Sequence, residues 1–311
     1  MTVRHIITKK LEKINGLNSK ENVKMKDYTS FKVGGRADLL ISPQNKKALA
    51  KALKFISHTN IPFFVLGSGS NIIVSDKGYR GIVIHLENLN NIKINDNQII
   101  AQTGISLSNL ANKAKEAELT GLEFASGIPG SLGGALFMNA GAYGGEMKDV
   151  VESVLVVNYK GDFQEIDAKK LNLSYRDSLL QKENLIALEA TITLEPGEKE
   201  KISAKMKELN KKRKLKQPLD WPSAGSIFKR PENDYAGRLI EEAGMKGYNI
   251  GDAQVSKKHA GFIINKGQAT AKEIKELIET VRNKVYEQSG IHLEVEPKFI
   301  GEIPKTVKKG D

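Results

Sequence analysis

The sequence predicts an α+β fold in which a glycine-rich first region is followed by a smaller second region. Short apolar runs punctuated by glycine fill residues 28–194 and are typical of strands, and stretches with helical periodicity lie between these runs. A charged helical stretch at residues 199–215 then closes the region. We therefore assign residues 1–205 to a first domain, residues 206–303 to a second, and residues 304–311 to a polar tail.

The individual elements follow from local patterns along the chain. Residues 1–27 are expected to form a polar amphipathic helical lead-in. In the first region, strands are predicted at residues 61–66, 81–86 and 154–157, helices at 46–57 and 107–119, and a turn at 195–198. In the second region, which starts near residue 217, helices are predicted at 235–243 and 270–289, and strand-like segments at 261–265 and 293–300.

The composition excludes several classes of protein. Hydrophobic residues make up 40% and charged residues 27% of the 311 residues, as in ordinary soluble globular proteins. The chain has no cysteine, which excludes disulfides, thiolate metal sites and cysteine nucleophiles. The sequence shows no apolar run of signal-peptide or membrane-span length, and no His, Asp and Glu cluster with metal-ligand spacing. These features predict a cytoplasmic enzyme that needs no metal.

The net charge of +11 raises the alternative of a nucleic-acid-binding module. Only 8 of the 48 basic residues are arginine, however, and nucleic-acid readers rely on arginine for bidentate contacts. Lysine is spread along the whole chain, with one dense run at residues 205–216. We therefore favour lysine-rich solvated faces and a site for an anionic small molecule, with neither nucleic acid nor membrane as a partner.

Two glycine-rich segments are the strongest functional signal in the first region. The first glycine loop, residues 67–71, directly follows a predicted strand, and the second glycine loop, residues 127–134, leads into a further glycine-rich stretch at 138–145. Glycine lets the backbone approach a ligand closely, and successive N–H groups form an anion-binding nest. The loops therefore suit a pyrophosphate held by uncharged donors. The candidate cofactor-binding residues are Gly67, Ser68, Gly69, Ser70, Asn71, Gly127, Gly130, Ser131, Gly134, Ala135, Gly141, Ala142 and Tyr143.

The alternative interpretation is that both loops are only tight turns in which glycine supplies a positive φ. Two such loops in one region make this alternative less favoured. Neither loop has the third glycine of the Rossmann fingerprint or the Gly-Lys-Ser/Thr ending of the Walker motif. A nucleotide site in some other fold is therefore expected.

Eight motifs occur in order along the chain. They include Tyr-Arg-Asp-Ser at residues 175–178, Ala-Gly-Ser-Ile-Phe-Lys at 224–229 and Leu-Glu-Val-Glu at 293–296. The others lie at residues 28–38, 67–78, 121–131, 138–145 and 258–262. Together they resemble the UDP-N-acetylenolpyruvoylglucosamine reductase (UDP-N-acetylmuramate dehydrogenase) family over nearly the whole chain.

This resemblance implies an FAD-binding domain of the vanillyl-alcohol-oxidase type followed by a smaller α+β substrate-binding domain. The chain is similar to the family's shorter class, which lacks an extra substrate-capping loop. The resemblance also implies reduction of UDP-N-acetylglucosamine enolpyruvate to UDP-N-acetylmuramate, with FAD bound without a covalent bond and NADPH as reductant. The expected partners are thus the UDP-sugar and NADPH, and no obligate protein partner is evident.

The chemistry of this reduction shows what the site must supply. Hydride addition to C3 of the enolpyruvyl group develops negative charge at C2 and in the adjacent carboxylate, so the site needs positive charge and a proton donor. By resemblance, Arg176 and Glu296 polarise the carboxylate and Ser226 protonates C2, with Lys229 available to stabilise the serine oxygen. The substrate-binding residues implied in the same way are Tyr175, Arg213, Lys229 and Gln254.

Each catalytic candidate also has a non-catalytic interpretation. Arg176 could form a surface ion pair with Asp177, Ser226 could lie in a turn, and Glu296 could end a solvated strand. We interpret His259 as a packing or hydrogen-bonding residue. A related flavin-dependent oxidase of sugars or lactones is the alternative enzyme, although it lacks support from the serine and the glutamate.

The chain departs from the family pattern at two positions. Arg230 follows Lys229 where the family often has asparagine, and Pro297-Lys298 follows the glutamate where Val-Arg is frequent. These departures remove no reacting group, but they weaken any assignment of diphosphate contacts to those positions.

Overall fold

The computed structural model describes residues 3–302, so the predicted polar tail at 304–311 lies outside the described residues. Within residues 3–302, the chain divides into two compact units, each assembled from separated segments. The first unit comprises the chain up to Glu21, Leu39–Ser68 and Gly81–Arg213. The second unit comprises Asn22–Asp38, Gly69–Arg80 and the chain from Lys214.

Helices and strands are numbered in chain order. The helices are α1 (Val3–Glu12), α2 (Lys46–Ile56), α3 (Leu107–Glu116), α4 (Leu132–Met138), α5 (Leu179–Lys182), α6 (Lys199–Lys216), α7 (Ala236–Glu242) and α8 (Ala271–Ser289). The strands of the first half are β1 (Leu17–Lys24), β2 (Arg36–Pro43), β3 (Phe63–Leu66), β4 (Ile72–Val74), β5 (Tyr79–His85), β6 (Ile92–Asn95), β7 (Gln98–Gln102), β8 (Leu119–Thr120), β9 (Gly141–Ala142) and β10 (Gly145–Glu146). The later strands are β11 (Val151–Asn158), β12 (Phe163–Asp167), β13 (Leu185–Thr193), β14 (Glu195–Pro196), β15 (Ser223–Ser226), β16 (Asn249–Ile250), β17 (Ala253–Val255), β18 (Phe262–Asn265) and β19 (Lys298–Ile300).

The first unit is organised around an antiparallel five-stranded sheet of order β12-β11-β13-β7-β6. Strand β11 pairs with β13 through two register shifts, with Val154 opposite Ala190 between them. The apolar faces of α3 and α4 are buried in the same core as these strands, with Leu110 and Leu136 fully buried. A four-stranded sheet of order β1-β2-β5-β3, mostly in this unit, shares a second core with α2.

Helix α2 and the strand pair β3 and β5 show why the predicted elements form. The Asn45 side chain accepts a 2.9 Å hydrogen bond from the N–H of Ala48 and so caps the start of α2. Leu49 and Leu53, at helical spacing on α2, are fully buried. The predicted strand 81–86 corresponds to β5, which pairs with β3 in parallel.

The second unit is built on an antiparallel four-stranded sheet of order β15-β18-β17-β16. Helices α7 and α8 share a core with this sheet. Thr270 and Glu273 form a capping box at the start of α8, and Gly290, with φ +71°, ends the helix. In addition, β19 pairs in parallel with β4, so residues far apart in sequence belong to one unit.

The predicted helical lead-in at residues 1–27 is wrong after Glu12. Residues Leu17–Lys24 form strand β1, and Met25–Tyr28 form a single 3-10 turn. Strand β1 lies at the edge of its sheet beside the buried strand β2, while most of its own side chains are exposed. A polar edge strand lacks the apolar periodicity that marks a strand in sequence, which explains the error.

Two further predictions differ from the structure in detail. The predicted strand 293–300 is regular only at Lys298–Ile300, with one isolated bridge between Val295 and Phe228. Within the predicted turn at 195–198, Glu195–Pro196 pairs with Leu119–Thr120 as a short strand. The predicted domain boundary between residues 205 and 206 falls inside helix α6 and stays a prediction.

Candidate active site

Gly67, at the start of the first glycine loop, contacts the second glycine loop within the first unit. Gly67 follows the end of β3, and Ser131 caps the start of α4 by accepting a 3.4 Å hydrogen bond from the N–H of Gly134. A Cβ atom placed on Gly67 would lie 2.3 Å from the Ser131 Oγ. The loops therefore touch at a point where any side chain on Gly67 would have to displace the serine hydroxyl.

Gly69 in the first glycine loop has a backbone conformation that favours glycine. Its φ is +64°, and a Cβ there would lie 2.0 Å from the carbonyl oxygen of Tyr28. The N–H of Ser30 donates a 3.1 Å hydrogen bond to the carbonyl of Gly69, which holds the loop in this shape. Within residues 3–302, the N–H groups of Ser68, Gly69 and Ser70 donate to no backbone carbonyl, as suits a loop whose donors serve a ligand.

Other predicted cofactor-binding residues are fixed through their backbones or by burial. The carbonyl of Gly130 accepts a 3.0 Å hydrogen bond from the N–H of Leu107, at the start of α3. Ala135 is buried on α4. In the second unit, the carbonyl of Asn71 accepts a 3.0 Å hydrogen bond from the N–H of Lys298. Ala135 therefore lies on a helix, and the carbonyls of Gly130 and Asn71 are bonded to the first residues of α3 and β19.

A half-buried arginine lies against the second glycine loop in the first unit. The Arg213 Nε would lie 3.2 Å, and the Asn210 Oδ1 2.2 Å, from a Cβ placed on Gly127. The guanidinium also lies over the ring of Tyr143, 5.9 Å from the centroid. Burial lowers the pKa of Arg213, while its hydrogen bond and electrostatic interaction with Tyr143 raise it in part. The predicted substrate-binding residue Arg213 is thus brought together with two predicted cofactor-binding residues.

Strands β9 and β10 form a small hairpin in the glycine-rich stretch that follows α4. Its two turn residues, Tyr143 and Gly144, have φ values of +54° and +92°, the signs of a type I′ turn. Asn139, at the end of α4, donates a 2.7 Å hydrogen bond to Glu146 and accepts one of 2.9 Å from the N–H of Lys148. The hairpin is therefore anchored to the end of the helix that begins at the second glycine loop.

Arg176 lies at the tip of a tight turn in the first unit. Ser174 and Asp177 exchange two backbone hydrogen bonds of 3.1 Å, which leaves Tyr175 and Arg176 at the turn centre. Arg176 has a φ of +56°, in the left-handed region that a non-glycine residue seldom adopts. Its guanidinium lies 5.2 Å from the centroid of the exposed Tyr175 ring. Asp177 makes an ion pair with Lys182, a partner that the sequence does not suggest.

Ser226 and Glu296 belong to the second unit, where their backbones come together. Gly225, with φ +76°, precedes Ser226, and a register shift between Ser223 and Ser226 marks a β-bulge in β15. The N–H of Glu296 donates a 2.9 Å hydrogen bond to the carbonyl of Ile227, the residue after the serine. Within residues 3–302, the Ser226 hydroxyl makes no hydrogen bond to another protein group, and the serine is half-buried.

The remaining predicted residues of the second unit have identified partners. The Lys229 ammonium forms a 2.6 Å ion pair with Glu294, and the side chain of Gln254 donates a 3.1 Å hydrogen bond to the carbonyl of Gly247. Each contact uses one donor hydrogen, so the ammonium of the lysine and the amide nitrogen of the glutamine keep further hydrogens for a ligand.

His259 lies among packed neighbours in the second unit. Its Nδ1 accepts a hydrogen bond of 3.1 Å from the N–H of Gly261, and its ring packs edge-on against Phe262. Burial lowers the pKa of His259. These contacts agree with the interpretation of His259 as a packing or hydrogen-bonding residue, which stays a prediction.

Two family models match this chain. Residues 217–300 match the C-terminal domain of UDP-N-acetylenolpyruvoylglucosamine reductase, and residues 37–167 match an FAD binding domain. The chain is 52% identical over 281 residues to the UDP-N-acetylenolpyruvoylglucosamine reductase of Caldanaerobacter subterraneus subsp. tengcongensis, which covers 90% of this chain and 93% of the relative. It is 48% identical to that of Clostridium tetani, with 96% and 97% covered.

The chain belongs to the UDP-N-acetylenolpyruvoylglucosamine reductase family. The crystal structure of the UDP-N-acetylenolpyruvylglucosamine reductase from Thermus caldophilus superposes with a TM-score of 0.79 at 36% identity, covering 92% of this chain and 100% of that one. The predicted order of an FAD-binding domain followed by the C-terminal domain of the family is thereby confirmed.

The FAD-binding domain of this reductase-family chain fits its cofactor. A cradle in which Gly67 meets Ser131, and in which Gly127 lies against Asn210, leaves little room for side chains and offers backbone and hydroxyl donors. Uncharged donors of this kind suit the pyrophosphate of FAD. The prediction of FAD is therefore confirmed at the level of the domain, while the individual cofactor contacts stay predictions.

The structure also bears on membranes and metals. No helix in the described stretch, residues 3–302, combines the length and the apolar character needed to cross a membrane. In the same residues, no three or more His, Cys, Asp or Glu side chains are grouped so that they could hold a metal ion.

Sequence patterns do not show how two further residues, Gln181 and Asn139, support the site. Gln181 lies outside the eight motifs, and Asn139 lies in the motif at 138–145, which gives no sign of its contacts. Gln181 donates hydrogen bonds of 2.9 Å to the carbonyl of Arg176 and 2.8 Å to that of Phe137, and Asn139 donates one of 3.2 Å to the carbonyl of Ser174. Gln181 lies near Arg176 in the sequence and Asn139 lies at the end of a helix, but neither position predicts a contact with the turn that carries Arg176.

Proposed function

We propose that this chain catalyses the FAD-dependent reduction of UDP-N-acetylglucosamine enolpyruvate to UDP-N-acetylmuramate, a step in peptidoglycan synthesis, in the cytoplasm with NADPH as reductant. The observation that carries the proposal is the glycine cradle where Gly67 meets Ser131, in a chain whose C-terminal part matches the reductase family. FAD, when bound, supplies the hydride for C3 of the enolpyruvyl group. The protein residues then have to bind the anionic groups of the substrate, stabilise the negative charge that develops at C2, and donate a proton to C2.

Ser226 is proposed to give the proton to C2. The serine follows a positive-φ glycine in a β-bulge, and a bulge changes the direction of a side chain from the one it has in a regular strand. Its hydroxyl is not engaged by another described protein group, so it can donate to the substrate. Lys229 is less suited than the sequence suggests to stabilise the serine oxygen, because its ammonium is paired with Glu294. Lys229 remains a proposed contact to the substrate, together with Gln254.

Arg176 and Glu296 are proposed to act on the carboxylate of the enolpyruvyl group. The fixed fork of a guanidinium binds a carboxylate through two parallel hydrogen bonds and offsets its developing charge. Glu296 helps an enolate only when it is protonated or shares a proton, and its backbone is fixed beside Ile227. The exposed Tyr175 and the half-buried Arg213 are proposed to bind other parts of the UDP-sugar.

The two half-reactions test the proposal. Rapid-mixing absorbance should follow reduction of the bound flavin by NADPH, and separately its reoxidation by the enolpyruvyl substrate. Ser226→Ala should leave the first rate near that of the unaltered protein and slow the second by roughly 10² to 10⁴. Glu296→Ala should show the same asymmetry, with a loss on the order of 10² to 10³.

The same measurement can refute the proposal. If the flavin of the unaltered protein were reoxidised by oxygen and not by the enolpyruvyl substrate, the chain would be an oxidase. Equal slowing of both halves in the serine variant would assign Ser226 to the shape of the flavin site instead of proton donation.

A further inference from the structure

The amide side chain of Gln181 contacts the carbonyl of Arg176 itself, whereas that of Asn139 contacts the turn at Ser174. Gln181 Nε2 donates a 2.9 Å hydrogen bond to the carbonyl oxygen of Arg176 and a 2.8 Å hydrogen bond to the carbonyl oxygen of Phe137. Phe137 lies in the last turn of α4, the helix that Ser131 caps at the second glycine loop. One side chain thus ties the residue proposed to bind the substrate carboxylate to the helix that starts at the cofactor loop.

The backbone of Arg176 needs such a restraint. Its φ of +56° is in the left-handed region, where the Cβ of an L-residue crowds its own backbone. A residue in this region reverts to a common conformation unless its surroundings hold it in place. Reversion would turn the Cα–Cβ bond of Arg176 and carry the guanidinium, at the end of a long side chain, away from its present position.

The contact is not needed merely to satisfy the end of α4. The hydroxyl of Ser178, which is fully buried, donates its own 2.8 Å hydrogen bond to the same carbonyl of Phe137. That carbonyl therefore keeps a partner without Gln181. The distinct contribution of Gln181 is its bond to the carbonyl of Arg176.

We propose that Gln181 is a positioning residue for the reduction, which holds the left-handed turn so that the Arg176 guanidinium meets the carboxylate of the enolpyruvyl group. This inference rests on the proposed function. Gln181 acts through Arg176, so its effect is confined to the half-reaction in which the substrate is reduced. Misplacing a binding group by about 1 Å costs on the order of 10² in rate, which sets the upper end of the effect.

The test compares Gln181→Met, which keeps the length of the side chain but has no donor, with the control Ser178→Ala. Both changes remove one hydrogen bond to Phe137, but only the first also removes the bond to Arg176. On FAD-loaded protein, Gln181→Met should slow flavin reoxidation by the enolpyruvyl substrate by roughly 10- to 10²-fold. It should leave flavin reduction by NADPH within about twofold, and Ser178→Ala should leave both rates within about twofold.

A double-mutant cycle separates positioning from general stability. In an Arg176→Ala background there is no guanidinium to place, so adding Gln181→Met should slow reoxidation by less than about twofold. A full additional loss in that background, equal slowing of both half-reactions, or equal effects of Gln181→Met and Ser178→Ala would overturn the proposal.

Folding and the proposed function are checked independently. Thermal melting and FAD content should match those of the unaltered protein, and if Gln181→Met does not fold, Gln181→Glu replaces it with the same expectations. Failure of both variants to fold would assign Gln181 to stability and overturn the inference. If the unaltered protein did not reduce the enolpyruvyl substrate, the proposed function would fail first, whereas a normal reaction in every Gln181 variant would refute the positioning role alone.

Discussion

Gly67→Ala probes the contact between the two glycine loops with a single methyl group. Gly67 is not among the residues with positive φ, so alanine is not strained by the backbone there. The new Cβ would lie 2.3 Å from the Ser131 Oγ but an ordinary 3.5 Å from the Ser131 Cβ. The methyl group therefore displaces one atom, the oxygen that caps helix α4.

The size of the effect follows from that cap. Losing a serine N-cap costs about 0.5–2 kcal/mol, and the 3.4 Å length of this bond favours the lower half of the range. We expect Gly67→Ala and Ser131→Ala each to lower the free energy of unfolding by about 0.5–1 kcal/mol. The free energy of unfolding of the double variant should be lowered by about the same amount as that of either single variant, because Ser131→Ala has already removed the oxygen that the methyl group would displace.

The assay is urea unfolding of the FAD-free protein, followed by circular dichroism, for the unaltered protein, the two single variants and the double variant. A second measurement is the dissociation constant of FAD, from flavin fluorescence. FAD should bind more weakly to the double variant than to Ser131→Ala, since the methyl group still occupies the backbone's approach to the cofactor. Additive losses of stability would refute the displacement of the cap. Equal FAD affinities for those two variants would show that Gly67 only makes room for Ser131.

The other predictions concern a second glycine, an arginine, a histidine and the surface charge. Gly69→Ala should lower the free energy of unfolding in urea more than Gly67→Ala, because the residue has a φ of +64° and its Cβ would lie 2.0 Å from a backbone oxygen. Adding Ser131→Ala should not restore the stability lost in Gly69→Ala. Arg213→Gln should raise the dissociation constant of the UDP-sugar by roughly 10- to 10²-fold in a flavin absorbance titration, whereas a loss of FAD alone would reassign this arginine to the cofactor. Burial lowers the pKa of His259, so the unfolded chain binds its proton more readily and stability should fall as the pH drops below about 6.5. His259→Gln should make the melting temperature less dependent on pH between about 7.5 and 5.5, and an unchanged slope would contradict this. Binding to DNA should be weak and lost at physiological salt, and sequence-selective binding that survives such salt would contradict our interpretation of the +11 charge.

The sequence predicts elements best where a local signal defines their ends. A helix is predicted at residues 270–289, and α8 is observed at Ala271–Ser289, because the capping box of Thr270 and Glu273 and the terminal Gly290 are visible in the sequence. Strand β1 escapes prediction for the opposite reason. It is polar, and its pairing with β2 rather than any pattern of its own makes it a strand.

At the site, the sequence predicts residue types but not their contacts. The glycine loops can be identified separately, but no pattern in either indicates that Gly67 lies on Ser131. The motif around Arg176 gives no sign of a left-handed turn, because arginine has no preference for positive φ. Gln181 cannot be recognised at all, since its importance depends partly on the carbonyl of Phe137, in a helix 44 residues earlier in the chain.

The pairing of β4 with β19 has a consequence for the synthesis of this chain. Ile72 pairs with Lys298, so 226 residues separate the two partners. A ribosome adds about 5–20 residues per second, which leaves β4 without its partner for roughly 10 to 50 s. During that time Ile73 and Val74, which are fully buried in the finished protein, belong to an unpaired apolar edge. The nascent chain is therefore most exposed to aggregation before its last strand emerges, and a chain that stops before Lys298 never passes that stage.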